Sequence, residues 1–201
     1  TFAAKKSFLI GVSQPNDTHP LRRAQYDAIR AYEATHPGVK FIVTSARLNS
    51  EKQASDIEDL ISMGVDLIMV CPHQSAALSP SIRRIAEAKI PIISFDRQLA
   101  PDVKDLVVSH IGVDYEAEGA QAAETIAKLL NGKGKILVLE GVPGSDSNIE
   151  RMRGFLAVLE KYPDIKILSR QVTNYQREQA ISVTENLLQA YPDADLIFAE
   201  N

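Results

Sequence analysis

The sequence predicts an α/β protein built as two doubly wound parallel-sheet lobes, with the second lobe incomplete. Three observations predict it. Short apolar runs rich in β-branched residues alternate with helical patterns from one end to the other. The alternation breaks once, near residue 112. The last run reaches the end of the sequence with no helix behind it, although a parallel sheet needs both faces covered.

The strand candidates are residues 8–12, 40–44, 67–71, 90–95, 107–111, 136–139, 165–168 and 196–199. Each is short, apolar and bounded by turn residues. Between them lie apolar stripes at helical spacing. Ile57, Leu60 and Ile61 share one face, as do Ala123, Ile126, Ala127 and Leu130. Met152, Phe155, Leu156 and Leu159 form a third stripe, and Ala180, Val183 and Leu187 a fourth. All are expected to face the core. Asn131-Gly132 reads as a helix stop before the strand at 136.

The runs at 90–95 and 107–111 are joined by a stretch too short for a crossover helix, and Asp114 then opens a new helix. The expected domains are therefore a first α/β lobe over residues 1–112 and a second, truncated lobe over 113–201. No low-complexity linker separates them, so the joint is expected to be a short hinge.

The 201 residues are 45% hydrophobic, enough for a real core, and carry a net charge of -4 with acids and bases interspersed. That balance argues against a nucleic-acid partner, which wants a basic face. No apolar run approaches a membrane span. Thr1 to Lys6 lack a signal-peptide pattern, as the start of a processed secreted protein or of a cytosolic one would. The single cysteine, Cys71, excludes an intramolecular disulfide and, closing an apolar run, reads as a buried inert thiol.

Enzyme signatures are missing. Gly132-Lys133-Gly134-Lys135 lacks P-loop spacing, there is no nucleophile elbow, and His19, His36, His73 and His110 share no metal-ligand spacing. His110, inside an apolar run, is expected to be a satisfied interior residue. Gly141-Val142-Pro143-Gly144-Ser145 reads as a tight strand-to-helix turn, with Ser145 or Ser147 as a helix cap. Asn16-Asp17-Thr18 fits a glycosylation sequon, a frequent chance match. No cofactor or metal is expected.

Polar residues instead collect where strands end. Ile90-Pro91-Ile92-Ile93-Ser94-Phe95-Asp96-Arg97 is a strand closing on an acid beside a base. Open parallel sheets bind ligands just beyond the carboxyl ends of their strands. There an Asp offers acceptor oxygens and an Arg a fork of donors, which suits a ligand covered in hydroxyls. The polar loop from Ser13 to Pro20, including His19, follows the first strand and leads into Leu21, Arg22 and Arg23. Cys71-Pro72-His73-Gln74 follows the third strand. Asn148 to Arg151, Asn174-Tyr175-Gln176 and Asn201 lie at later strand ends. Amides, a carboxylate, arginines and an aromatic ring together make a sugar site.

These residues resemble those of the type 1 periplasmic binding proteins, particularly sugar-binding components of ABC importers. The resemblance runs over essentially the whole chain. It rests on Ile10-Gly11-Val12-Ser13-Gln14, on Ile57 to Asp66, on Ile90 to Arg97, on Val108-Ser109-His110-Ile111, on Glu140 to Gly144 and on Phe198-Ala199-Glu200-Asn201. It implies two lobes closing on a sugar. It places the family's hydroxyl-binding Asp and Arg at Asp96 and Arg97, its strand-end asparagine at Asn201 and a loop aromatic at Tyr175. First-loop contacts fall around His19, Leu21 and Arg22. Ribose binders carry aromatic rings where this chain has Leu21 and Arg22, and an arginine where it has Ile149, with Arg151 two positions on. That pattern looks more like hexose or furanose binders.

The expected function is therefore capture of a monosaccharide and its delivery to an ABC permease, in the periplasm or at the extracytoplasmic surface. The expected ligand-binding residues are Asp96, Arg97, Arg22, Asn201, Arg151, Tyr175, His19 and Ser13. The alternative is a ligand-sensing domain of a receptor or of a repressor with the same fold. An α/β enzyme acting on sugars or nucleotides ranks third.

Overall fold

The computed structural model describes residues 7–200. The readings that fall on Thr1 to Lys6 and on Asn201 lie outside the described residues. All eight strand candidates are strands: β1 (Phe8–Gln14), β2 (Val39–Ser45), β3 (Leu67–Val70), β4 (Ile92–Asp96), β5 (Ser109–Gly112), β6 (Gly134–Glu140), β7 (Ile165–Val172) and β8 (Leu196–Ala199). The helices are α1 (Pro20–Thr35), α2 (Ser50–Ser62), α3 (Ser79–Glu87), α4 (Tyr115–Leu129), α5 (Asp146–Leu159) and α6 (Arg177–Ala190). The chain divides into two compact units between Gly112 and Val113.

The helix starts have local causes. Pro20 opens α1, where a missing N–H costs nothing. The side chains of Asn49, Asp114 and Ser145 cap α2, α4 and α5 by accepting from the amides of Lys52, Ala117 and Asn148. At the end of α4, Asn131 and Gly132 take positive φ, and the Gly132 amide returns to Ala127 O at 2.8 Å.

The first unit is a five-stranded parallel sheet of order β2-β1-β3-β4-β5. The strand order reverses between β1 and β3, which is the topological switch point of a doubly wound sheet. Ile29 of α1 packs with Val12, Val43, Cys71 and Phe95 on one side. Residues of α2 and α3 pack with Ile68, Val70 and Ile92 on the other. The stretch from 97 to 108 covers part of that second face without a regular helix. Leu99, Ala100 and Val103 are buried there, followed by one turn of 3-10 helix at Lys104–Leu106.

One expectation is corrected here. His110 is exposed, not interior, because β5 is the edge strand of its sheet and its four residues are all exposed. Its ring nitrogen Nδ1 meets Ser94 Oγ at 2.8 Å.

The second unit is a three-stranded parallel sheet of order β7-β6-β8. Central strand β6 is buried on both faces. Ile136 and Val138 pack with α4 and α5, and Leu137 and Leu139 pack with α6. Phe155 stacks on Phe198 with ring centroids 4.2 Å apart, tying α5 to β8. Helices α4 and α5 touch backbone to backbone at two reciprocal glycines. A Cβ on Gly119 would lie 1.9 Å from Arg151 O, and one on Gly154 would lie 1.9 Å from Glu116 O. Gly119→Ala or Gly154→Ala must push the helices apart. Each is expected to lower stability by roughly 1–3 kcal/mol in denaturant titrations, the usual cost of overpacking.

Candidate functional site

At the carboxyl edge of the first unit, Asp96 ends β4 with φ at +62°. The Arg97 amide donates to Phe95 O at 2.8 Å, closing a three-residue turn around Asp96. A non-glycine residue held in this conformation costs energy and is typical of functional positions. Arg22, on the first turn of α1, forms an ion pair with Asp96 Oδ2 and donates to Gln25 Oε1 at 2.9 Å. Cys71 Sγ lies 3.4 Å from the same carboxylate oxygen. Arg97 is only 5% exposed and donates to the carbonyls of Pro72 (3.2 Å) and His73 (3.0 Å). The adjacent acid and base read from the sequence are thus each bonded to another element. Asp96 is held by Arg22, and Arg97 by the loop after β3.

His19 caps α1, its Nδ1 accepting from the Leu21 amide at 3.3 Å. Burial, then the Arg22 and Arg97 charges, lower its pKa, with Asp96 opposing. Ser13 is fully buried and accepts from Gln53 Nε2 at 3.1 Å. The Gln53 amide also donates to Cys71 O (2.8 Å), and its oxygen accepts from the His73 amide (2.8 Å). One buried side chain from α2 thus ties together the ends of β1 and β3. Three buried polar atoms have no hydrogen-bond partner among the described residues: Gln14 Nε2, Ser45 Oγ and His73 Nδ1. They lie at or just beyond the ends of β1, β2 and β3.

The carboxyl edge of the second unit is a network around Glu200, the residue after β8. Its carboxylate accepts from Asn148 Nδ2 (2.7 Å), Tyr175 OH (2.9 Å) and Arg151 Nη1 (3.3 Å). Arg151 also donates to Glu118 Oε2 (3.0 Å), to Ser147 O and to Tyr175 OH (both 3.3 Å), and lies over the Tyr115 ring. Asn174 and Tyr175 both have positive φ. The Tyr175 ring covers Gly141 so closely that a Cβ there would fall 1.8 Å from Cζ.

Of the predicted residues, the structure brings Arg22, Asp96, Arg97, His19 and Ser13 to one edge, and Arg151 and Tyr175 to the other. Ser13 lies beneath the surface, against Gln53. Sequence reasoning missed Gln53, His73 as an orphaned group, and Glu200 as a hub. A lone Gln on a helix and a Glu after a strand carry no spacing signal.

Against known proteins, the model of the periplasmic binding protein domain matches residues 10–201. The chain belongs to that family. Within it, the ribose import binding protein of Bacillus subtilis (strain 168) is 34% identical over 198 residues, covering 98% of this chain and 63% of that protein. A xylitol-binding protein of Mycolicibacterium smegmatis is 33% identical, covering 81% of this chain and 46% of that protein. Among solved structures, the fructose-binding periplasmic domain of a hybrid two-component system superposes with a TM-score of 0.89 at 31% identity. That match covers 96% of this chain and 63% of that one. A myo-inositol-binding protein of Caulobacter, bound to myo-inositol, gives 0.88 at 32% identity, covering 96% and 65%. The chain thus spans less than two thirds of the length of these curated relatives. The family is the one that the strand-end motifs resemble.

Two buried groups at the first edge make its pH response specific. Burial, with Arg97 adding to it, pushes the His73 imidazole down to about 4. The folded protein keeps it neutral where the unfolded chain takes up a proton. Stability is therefore expected to fall as pH drops from about 6.5 toward 4, by roughly 1–3 kcal/mol. Denaturant melts of His73→Gln should lose that part of the slope. Burial pushes the Cys71 thiol up to about 11. Its contribution to stability is present below the unfolded thiol's pKa and is lost as pH rises from there through about 11. A thiol reagent at pH 8 should label Cys71 only after unfolding.

Proposed function

We propose that the protein is the solute-binding component of an ABC importer, acting outside the cytoplasm to capture a monosaccharide and deliver it to the membrane permease. The observation that carries this reading is the set at the switch point of the first unit. Asp96 is held in a strained turn and paired with Arg22, beside the buried Arg97. A fixed carboxylate and two fixed guanidiniums offer acceptors and donors that hydroxyls satisfy together, with no further ordering of side chains. Asp96, Arg22, Arg97 and His19 contact the sugar from the first unit, with Ser13 supporting them from the layer below. In the second unit, Arg151, Tyr175 and Asn201 are its ligand-binding residues. The Cys71 thiol near this set is buried, and burial pushes its pKa up to about 11. Among the described residues, no cluster of His, Cys, Asp and Glu is suited to hold a metal, and no helix is long and apolar enough to cross a membrane.

The names of the relatives support a polyol ligand without selecting one: ribose, xylitol, fructose and myo-inositol all occur. A second reading, a sensory domain, draws on the two-component relative alone. The full-length sequence separates the two: a lipobox favours import, and a membrane span followed by a kinase favours sensing.

Calorimetric titration of the full-length parent with D-ribose, D-fructose, L-arabinose, xylitol and myo-inositol tests the proposal. For whichever binds, Asp96→Ala and Arg97→Ala should each cost roughly 2–5 kcal/mol, because the remaining partners are left buried and unpaired. That is about a thirty- to several-thousand-fold loss of affinity. Unchanged affinity in both variants removes the site.

A further inference from the structure

We infer that Glu200 is the positioning residue of the second unit's binding edge: its buried carboxylate sets Tyr175 and Arg151 in the places from which they contact the ligand. The inference rests on the sugar-binding reading above.

Glu200 is the point where the three strand ends of this sheet meet. It follows β8 itself. Through Asn148 and Arg151 it holds the first turns of α5, which follows β6. Through Tyr175 it holds the loop after β7. Its side chain is 1% exposed, so these bonds are made out of water. Tyr175 needs such an anchor. It and Asn174 occupy the left-handed region, which side chains other than glycine's enter only when their surroundings hold them. The bare backbone of Gly141 lets the hydroxyl end of the ring approach the loop closely, and the Glu200 carboxylate fixes that hydroxyl. Arg151 is held from two sides, by Glu118 of α4 and by Glu200 just after β8, which leaves its guanidinium one orientation.

A carboxylate kept only for stability would not be placed here. Burial raises the Glu200 pKa despite its donors, Asn148 and Tyr175 first and then the Arg151 charge. The folded protein therefore bears a cost for the ionised form near neutral pH, and that cost grows as pH rises through the folded pKa. Groups retained at such a cost are characteristic of sites in which stability is exchanged for fixed geometry.

The test uses Glu200→Gln in the full-length protein, with Glu200→Ala beside it and Asp193→Asn as a control. Asp193 is an exposed carboxylate paired with Lys135 at the amino ends of the same strands. The expected result is about a tenfold loss of affinity in Glu200→Gln for whichever of the five polyols binds. A larger loss is expected in Glu200→Ala and none in Asp193→Asn. The melting temperature of Glu200→Gln at neutral pH should be unchanged or raised. In the ligand-free protein, hydrogen exchange in Glu200→Gln should accelerate at residues 173–176 and 141–148 together. Wild-type affinity should fall below the Glu200 pKa, and that dependence should flatten in the Gln variant. A Glu200→Gln protein with full affinity and unchanged exchange overturns the inference. So does one with a lowered melting temperature and full affinity, which assigns Glu200 a structural role only. If the wild type binds none of the polyols, the sugar-binding reading fails. The exchange data then decide whether Glu200 fixes the two loops.

Discussion

Parallel pairing is the constraint on which the rest of this structure depends. When every strand of a sheet runs the same way, every carboxyl end lies along one edge, and every loop leaving that edge starts a crossover. The chain therefore presents its strand-end residues together whether or not they are neighbours in sequence. Asp96 meets Arg22 across 74 residues, and Glu200 meets Asn148 across 52. The β4-to-β5 connection shows the constraint at its limit. Two parallel neighbours are joined without a helix, and Leu99, Ala100 and Val103 cover the sheet in its place.

Each unit secures its edge with one buried side chain that hydrogen-bonds to several strand ends. In the first unit it is the neutral amide of Gln53, which suits a mixture of backbone carbonyl, amide and hydroxyl partners. In the second it is the Glu200 carboxylate, which suits partners that are all donors. Buried networks of this kind are costly unless satisfied, and both are. Around them the chain tolerates unfavourable backbone: Asp96, Asn174 and Tyr175 all sit at positive φ. Asp96 lies at the polar edge of the first sheet, and Asn174 and Tyr175 lie at that of the second.

The edges also differ in charge. Two arginines and one carboxylate meet at the first, and the second balances Arg151 against Glu200 and Glu118. Every arginine in these sets is tethered, so their guanidiniums are oriented before any ligand arrives. Such preorganisation suits selection among polyols, whose hydroxyls differ mainly in direction.

Read alone, the amino-acid sequence reveals the eight strands, the helical stripes and the break in alternation near residue 112. These depend on periodicity, turn residues and local caps, which are written in neighbouring positions. It also marked Asp96, Arg97, Arg22, Arg151 and Tyr175, because polar residues that end apolar runs stand out along a chain. How they pair depends on the packed fold. Side by side in sequence, Asp96 and Arg97 are bonded to different elements: Arg22 of α1 pairs with Asp96, and the loop after β3 accepts from Arg97. The exposure of His110 depended on β5 being the sheet's edge, which strand order decides and composition does not. Gln53 and Glu200 were silent in the sequence for the same reason. A single polar residue becomes a hub only when distant strand ends converge on it, and that convergence is a property of the packed sheet.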